Sequence, residues 1–156
     1  MLDYNLLSIE EVLLEGIEFA GEVCFSGKHG QEVFDKPIED GGNPISGLLY
    51  ERYKNGNLVY YSYYKNGVAE GDYVEFYKDG KIESFQQMIK GAVHGKSVCW
   101  YEDGNIKSVA ECKYGFKLTY KEWDVEGQLI TEKTEPSVFE KEMIDKYDAW
   151  AEQDGK

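Results

Sequence analysis

The sequence predicts a mainly β protein. It reads as an open antiparallel β-meander of repeated hairpins, with a short N-terminal α/β lead-in before it and a C-terminal capping helix after it. Three observations carry this. Glycines recur with one period: Gly47, Gly71 and Gly95 stand 24 residues apart, as do Gly56, Gly80 and Gly104, and again Gly67, Gly91 and Gly115. Between them run GLLYERYKNGNLVYYSYYKNG, GDYVEFYKDGKIESFQQMIKG and GKSVCWYEDGNIKSVAECKYG, rich in the aromatic and β-branched residues that suit pleated, half-buried surfaces. After Lys133 the period stops and apolar residues adopt helical spacing. At 156 residues the chain is sized for a single domain, divided into an acidic lead-in (1–46), the repeats (47–133) and the helix (134–154).

In the lead-in, Ser8 and Glu11 have capping-box spacing, which predicts a short helix through Val12, Leu13 and Leu14 that Gly16 ends. Residues 17–19 and 22–25 alternate as strands, 26–30 supply a turn, and 32–34 return as a third short strand. The run KPIEDGGNP, residues 36–44, reads as a loop.

Each period then divides into two strands of about 7–10 residues. Asn55-Gly56, Asp79-Gly80 and Asp103-Gly104 are expected to form type I′ turns, which need positive φ at both central residues. Residues 67–71 and 91–95, bracketed by glycines, read as longer hairpin loops. Strand alternation puts the columns Tyr50/Val74/Val98 and Arg52/Phe76/Trp100 on one face, with Tyr53/Tyr77/Tyr101 opposite. After the turn come Leu58/Ile82/Ile106 and Tyr64/Met88/Cys112. Such columns set like residues side by side in successive hairpins, where they bury one another. A fourth, imperfect copy opens at Gly115; Gly127 follows Gly104 by 23 residues, and Leu129 and Ile130 belong to its last strand.

In the C-terminal segment, Ser137 and Glu140 repeat the capping-box spacing. Phe139, Met143, Tyr147 and Trp150 make one apolar stripe, with Glu140, Lys141, Glu142, Asp145, Lys146 and Glu152 on the other side. This stripe is expected to pack on the end or a face of the sheet.

Charge bounds the function. The net charge is −13, and it is unevenly spread: residues 1–46 hold ten acids and two bases, 47–116 nine of each, and 117–156 eleven acids and six bases. This balance repels nucleic acid and anionic membrane, and suits solubility or a basic partner. No apolar run approaches the roughly 18 residues that span a bilayer. The opening MLDYNLLSIEEV carries acids where a signal peptide needs bases, so a cytoplasmic location is expected.

No catalytic, cofactor or metal site is legible. Cys24, Cys99 and Cys112 share no metal-ligand spacing and read as reduced, buried thiols. His29 and His94 fall in apparent turns without a second ligand nearby. Gly95-Lys96-Ser97 has the letters of a phosphate loop, but it enters a strand and lacks the upstream glycine. An enzyme is therefore not expected.

The turns Tyr53-Lys54-Asn55-Gly56, Tyr77-Lys78-Asp79-Gly80 and Tyr101-Glu102-Asp103-Gly104, with the Gly-x-x-x-Gly spacing that follows, resemble the MORN repeat in a variant form. The period of 24 and the missing Tyr-x-Gly-x-Trp core depart from the better-known pattern. With its lead-in through Asn43-Pro44-Ile45-Ser46-Gly47, the chain is similar to the bacterial antitoxin or immunity proteins encoded beside secreted polymorphic toxins. That resemblance implies a non-catalytic protein that binds one cognate toxin, often a nuclease, inside the producing cell. It brings no contact residues with it. Charge complementarity to a basic toxin points to Glu32, Asp35, Glu39 and Asp40 around the glycine-rich loop. Tyr60, Tyr61, Tyr63 and Tyr64 are expected to be exposed anchors. The alternative is a MORN-repeat scaffold or adaptor that organises other proteins or peripheral membrane contacts, although the electrically neutral repeats speak against lipid. Nucleic acid and stable membrane insertion are not expected, and a homo-oligomer would form through open sheet edges.

Overall fold

The computed structural model describes residues 5–26 and 30–154. Its helix α1 (Ile9–Glu15) begins at the expected capping box: Ser8 Oγ accepts from the Glu11 amide and Glu11 Oε1 from the Ser8 amide, both at 3.1 Å. The short β1 (Ile17–Glu18) pairs parallel with β4 (Gly47–Arg52). A separate antiparallel pair, β2 (Cys24–Ser26) and β3 (Glu32–Phe34), completes the lead-in. The predicted turn between them falls partly on residues outside those described, and His29 is among them. The predicted loop contains a 3-10 turn, Ile38–Asp40.

The meander continues through β5 (Leu58–Lys65), β6 (Val68–Phe76), β7 (Ile82–Ile89), β8 (Ala92–Trp100), β9 (Ile106–Lys113), β10 (Phe116–Trp123) and β11 (Leu129–Lys133). From β4 onward every strand is hydrogen-bonded to its sequence neighbour, giving one nine-stranded open sheet with β1 and β11 at its edges.

The two kinds of turn are interchanged relative to expectation. The residues with positive φ at both central positions are Asn66-Gly67 (51° and 82°), Lys90-Gly91 (51° and 81°) and Tyr114-Gly115 (54° and 84°). These are the type I′ turns. At Asn55-Gly56 only the glycine is left-handed, and the Asn55 side chain accepts from the Asn57 amide at 2.9 Å. That local bond holds the Asn in an ordinary turn conformation, and the chain closes as a longer turn beside a bulge at Glu51/Arg52. Gly71 and Gly95, read as loop residues, lie inside β6 and β8, close to register shifts. Gly71 has a φ of 114°, and a Cβ there would sit 3.1 Å from that of Tyr63. The glycine period records bulges as much as turns.

Two ladders stitch consecutive repeats. On one rim the amides of Gly67, Gly91 and Gly115 donate back to the carbonyls of Ile45, Ala69 and Val93, at 2.7, 2.9 and 2.8 Å. On the other, the hydroxyls of Tyr53, Tyr77 and Tyr101 donate forward to the carbonyls of Phe76, Trp100 and Trp123, at 2.8, 2.7 and 2.8 Å. The tyrosine column is a set of tethers, and it stops where Asp124 takes the place of a fourth tyrosine.

On one face the core joins Tyr50, Leu58, Tyr61, Val74, Phe85, Val98 and Trp100, with Val12 of α1 and the flanking Leu7 and Ile9 packed upon it. On the other, Val33 and Ile45 of the lead-in cover Leu49, beside Phe19, Val23 and Tyr64. Apolar groups thus occupy both faces, as the columns predict.

Helix α2 (Val138–Asp154) forms, but with a different inward face. Ile144 is its buried residue, Met143 and Tyr147 are half-buried, and Phe139 and Trp150 stand 64% and 53% exposed. Glu140, expected to face outward, accepts from Lys133 Nζ at 2.6 Å and from the Ser137 amide at 2.7 Å. Asp148 accepts from Lys113 Nζ (2.9 Å) and the Tyr114 hydroxyl (2.6 Å). The end of the sheet presents two lysines and a phenol, so the helix turns its carboxylates toward them.

Candidate protein-binding surface

The lead-in is seated on the first type I′ turn. The Val33 amide donates to the Gly67 carbonyl, the Ile45 amide to the Val33 carbonyl, and the Asn66 amide to Ser46 Oγ, all at 2.9 Å. With Val33 and Phe34 turned inward, Glu32 is left outward and exposed. Asp35 closes the following loop: its Oδ1 accepts from the Asn43 amide at 2.8 Å, and its own amide donates to the Asn43 carbonyl at 3.0 Å. Glu39 and Asp40 stand exposed on the 3-10 turn. The Ile38 amide donates to Ser26 Oγ at 3.3 Å, fastening that turn to the end of β2.

The lead-in therefore holds all four expected acids on its surface, with Asp35 also closing the loop that carries Glu39 and Asp40. Two apolar side chains stand among them that were not picked out by sequence reasoning: Phe25, 61% exposed, and Ile38, 50% exposed. Glu22 is exposed as well. Phe25 and Ile38 both leave apolar surface exposed to solvent beside the acids. The signal was unreadable beforehand, because an apolar residue in a short strand looks the same whether the chain covers it or not.

A groove of about 570 Å³ separates the lead-in from the meander, with Phe25, Glu32, Tyr64, Tyr73 and Lys90 among its walls. Tyr73 stacks on Tyr60 with centroids 5.5 Å apart. The four expected tyrosine anchors divide here. Tyr60 (8%) and Tyr61 (1%) are buried, and Tyr63 and Tyr64 are half-buried. Alternation along β5 sends Tyr61 and Tyr63 to the face under α1 and Tyr60 and Tyr64 to the face under the lead-in, and both faces are covered at this repeat. The Tyr61 hydroxyl accepts from the Leu7 amide at 3.0 Å. Burial pushes all four phenols up, and Tyr73 to about 12, so they stay protonated at neutral pH. Of the expected set, Tyr64 is the one that opens into the groove.

Among the described residues no group of His, Cys, Asp and Glu could hold a metal ion. His94, expected in a turn, lies in β8, where its Nδ1 accepts from the Tyr114 amide at 3.3 Å and its ring meets Tyr114 edge-on. Cys112 is buried, and burial raises its thiol, which keeps it protonated; Cys24 and Cys99 are free and half-buried. No helix among the described residues is long and apolar enough to cross a membrane.

No family model matches the chain, and no solved structure matches it. It is similar to the immunity protein YwqK of Bacillus subtilis (strain 168), with 39% identity over 69 residues. Those residues are 44% of this chain and 42% of that protein, so the match spans less than half of the relative.

Proposed function

We propose that this protein is a non-catalytic immunity protein, or antitoxin, that neutralises a cognate secreted toxin by binding it directly inside the producing cell. The observation that carries the reading is the similarity to an immunity protein over 69 residues. The variant MORN-like repeats support it as the rigid frame, and the acidic, apolar-centred lead-in supports it as the contact surface. A toxin with a basic surface, as a nuclease has, gains association rate and discrimination from such acids.

The test is co-expression, in a sensitive host, of the toxic domain encoded beside this gene, with and without the immunity chain. Survival only in its presence is the expected result; equal killing in both cultures removes the reading for that pair. For the surface, charge reversal at Glu32, Glu39 and Asp40 should weaken toxin binding and flatten its salt dependence. Asp35 belongs outside that set, because reversing it also opens the loop. Calorimetry that finds unchanged affinity for the triple variant moves the interface elsewhere.

A further inference from the structure

Consecutive long turns leave a notch on the α1 face, and the repeat allows one notch to be compared with another. The first is lined by Asn57, Leu58, Phe76 and Gly80 together with the chain's own Leu7 and Ile9, which pack against the core there and narrow it to about 210 Å³. The last is lined by Asn105, Ile106, Trp123, Glu126 and Gly127 and measures about 400 Å³. These are the same positions two repeats later, apart from the residue lost in the fourth copy. All the residues lining the last notch belong to the repeats.

Two further differences separate the notches. Asn57 Nδ2 reaches across the first to the Lys78 carbonyl at 3.0 Å, whereas Asn105 Nδ2 turns back to Asp103 Oδ2 in its own turn at 3.1 Å. Their rims also carry opposite charge. At equivalent turn positions the first has Lys54, Lys78, Asp79 and Lys81, with Lys81 paired to Asp79, and the last has Glu102, Val125, Glu126 and Gln128, of which Glu126 lines the notch; Asp103 lies beside it, bonded to Asn105.

We infer that the last notch is a docking site for the start of a helix in another protein, bearing one aliphatic side chain on each side of its N-cap residue and flanked by Lys or Arg. The template for the aliphatic pair is Leu7 and Ile9 in the first notch. The rim acids specify the flanking charge. A second copy of this chain does not fit the requirement. Its Leu7 and Ile9 already wall its own first notch, with the Leu7 amide on the Tyr61 hydroxyl and Ser8 capping α1, and the segment that carries them is acidic. The site is separate from the lead-in surface and does not require the partner to be a toxin.

The probe is a synthetic peptide of residues 5–12 carrying Glu10→Lys and Glu11→Lys, titrated into the isotope-labelled full chain and followed by NMR. Expected are shifts of the Trp123 indole and of the Ile106 and Gly127 amides. Ile106→Glu should cut the affinity about tenfold. Because that residue is half-buried, the surface variant Glu126→Lys serves as the second arm: it should weaken the lysine peptide and strengthen the unmodified acidic one. Shifts confined to Leu58, Phe76 and Gly80, indifference to both variants, or no binding overturn the proposal. So does peptide-free self-association that moves the Trp123 signals, which assigns the notch to a second copy.

Discussion

At its first strands the sheet is covered on both faces, by α1 and Leu7 over Tyr61 and by Val33 and Ile45 over Leu49. At its last strands it ends in an open edge along β11, where Leu129 and Ile130 are exposed, and α2 is joined to the sheet by the ion pairs Lys133–Glu140 and Lys113–Asp148 as well as by Ile144 and Tyr147. The hairpins are alike at both ends; the closures are not. An apolar cover makes the beginning depend on packing, while an ion-paired helix makes the end depend on protonation and leaves a notch and a strand edge free for other contacts.

The largest test of that contrast is a pair of truncations. Tyr61→Ala should cost about 3 kcal/mol or more, because it opens a cavity under α1. Leu129→Ala at the exposed edge should stay within about 0.5 kcal/mol. Urea denaturation of both variants measures this, and similar losses would mean that the two ends are equally closed.

A glycine pair sharpens it next. Gly67 and Gly115 have nearly the same φ, 82° and 84°, but a Cβ at Gly67 would meet Glu32 Cβ and the Val33 carbonyl at 3.0 Å, whereas nothing lies within 4 Å of one at Gly115. Each alanine bears the left-handed cost of roughly 1 kcal/mol. Gly67→Ala should add the unseating of the lead-in, seen as faster proteolysis near residues 35–43. Equal stability loss and equal cleavage would remove the idea that the first turn is the seat.

Acid should act chiefly on the other end. Lys133 and the Ser137 amide hold the Glu140 carboxyl down to about 2, from an ordinary 4.5, and Tyr114 and Lys113 lower Asp148. Folded-state values below the unfolded ones mean stability that is present above about pH 4.5 and lost as pH falls toward 2. Asp72 and Glu83, raised by burial on the middle strands, act in the opposite sense. Hydrogen exchange should therefore show residues 138–154 opening before β5 to β8 on acidification. Simultaneous opening would refute a separately held helix.

The tethers give a smaller effect than the buried Tyr61 or the seated Gly67. Tyr53→Phe, Tyr77→Phe and Tyr101→Phe each remove one hydroxyl-to-carbonyl bond, worth about 0.5–1.5 kcal/mol. Thermal melts should place the three close together, since the geometry repeats within 0.1 Å.

Much of this was legible in the chain. The 24-residue period, the strand alternation and both capping boxes are local patterns, and local patterns are what a sequence displays. The Asn-Gly and Asp-Gly pairs misled because the dipeptide suits two turn types, and the Asx side-chain oxygen favours the longer one by accepting from the backbone amide two residues on. The inward line of α2 is Glu140, Ile144 and Asp148, one residue around the helix from the Phe139–Met143–Tyr147 stripe, because Lys133, Lys113 and Tyr114 offer a polar seat that hydrophobic spacing does not display.

By itself the sequence determined the repeat, the open meander, the terminal helix and the distribution of charge, since each depends on residues within a few positions or one period of each other. Only the tertiary structure decided which tyrosines are covered, which apolar groups of the lead-in remain outside, and that Leu7 and Ile9 wall the first notch while the last is lined by the repeats alone. Those outcomes depend on how segments far apart in the chain, such as Leu7 and Phe76 or Val33 and Gly67, come to lie together. A periodic array repeats its surface at every step, and the segments that cover it at one end and not the other give each end its own chemistry.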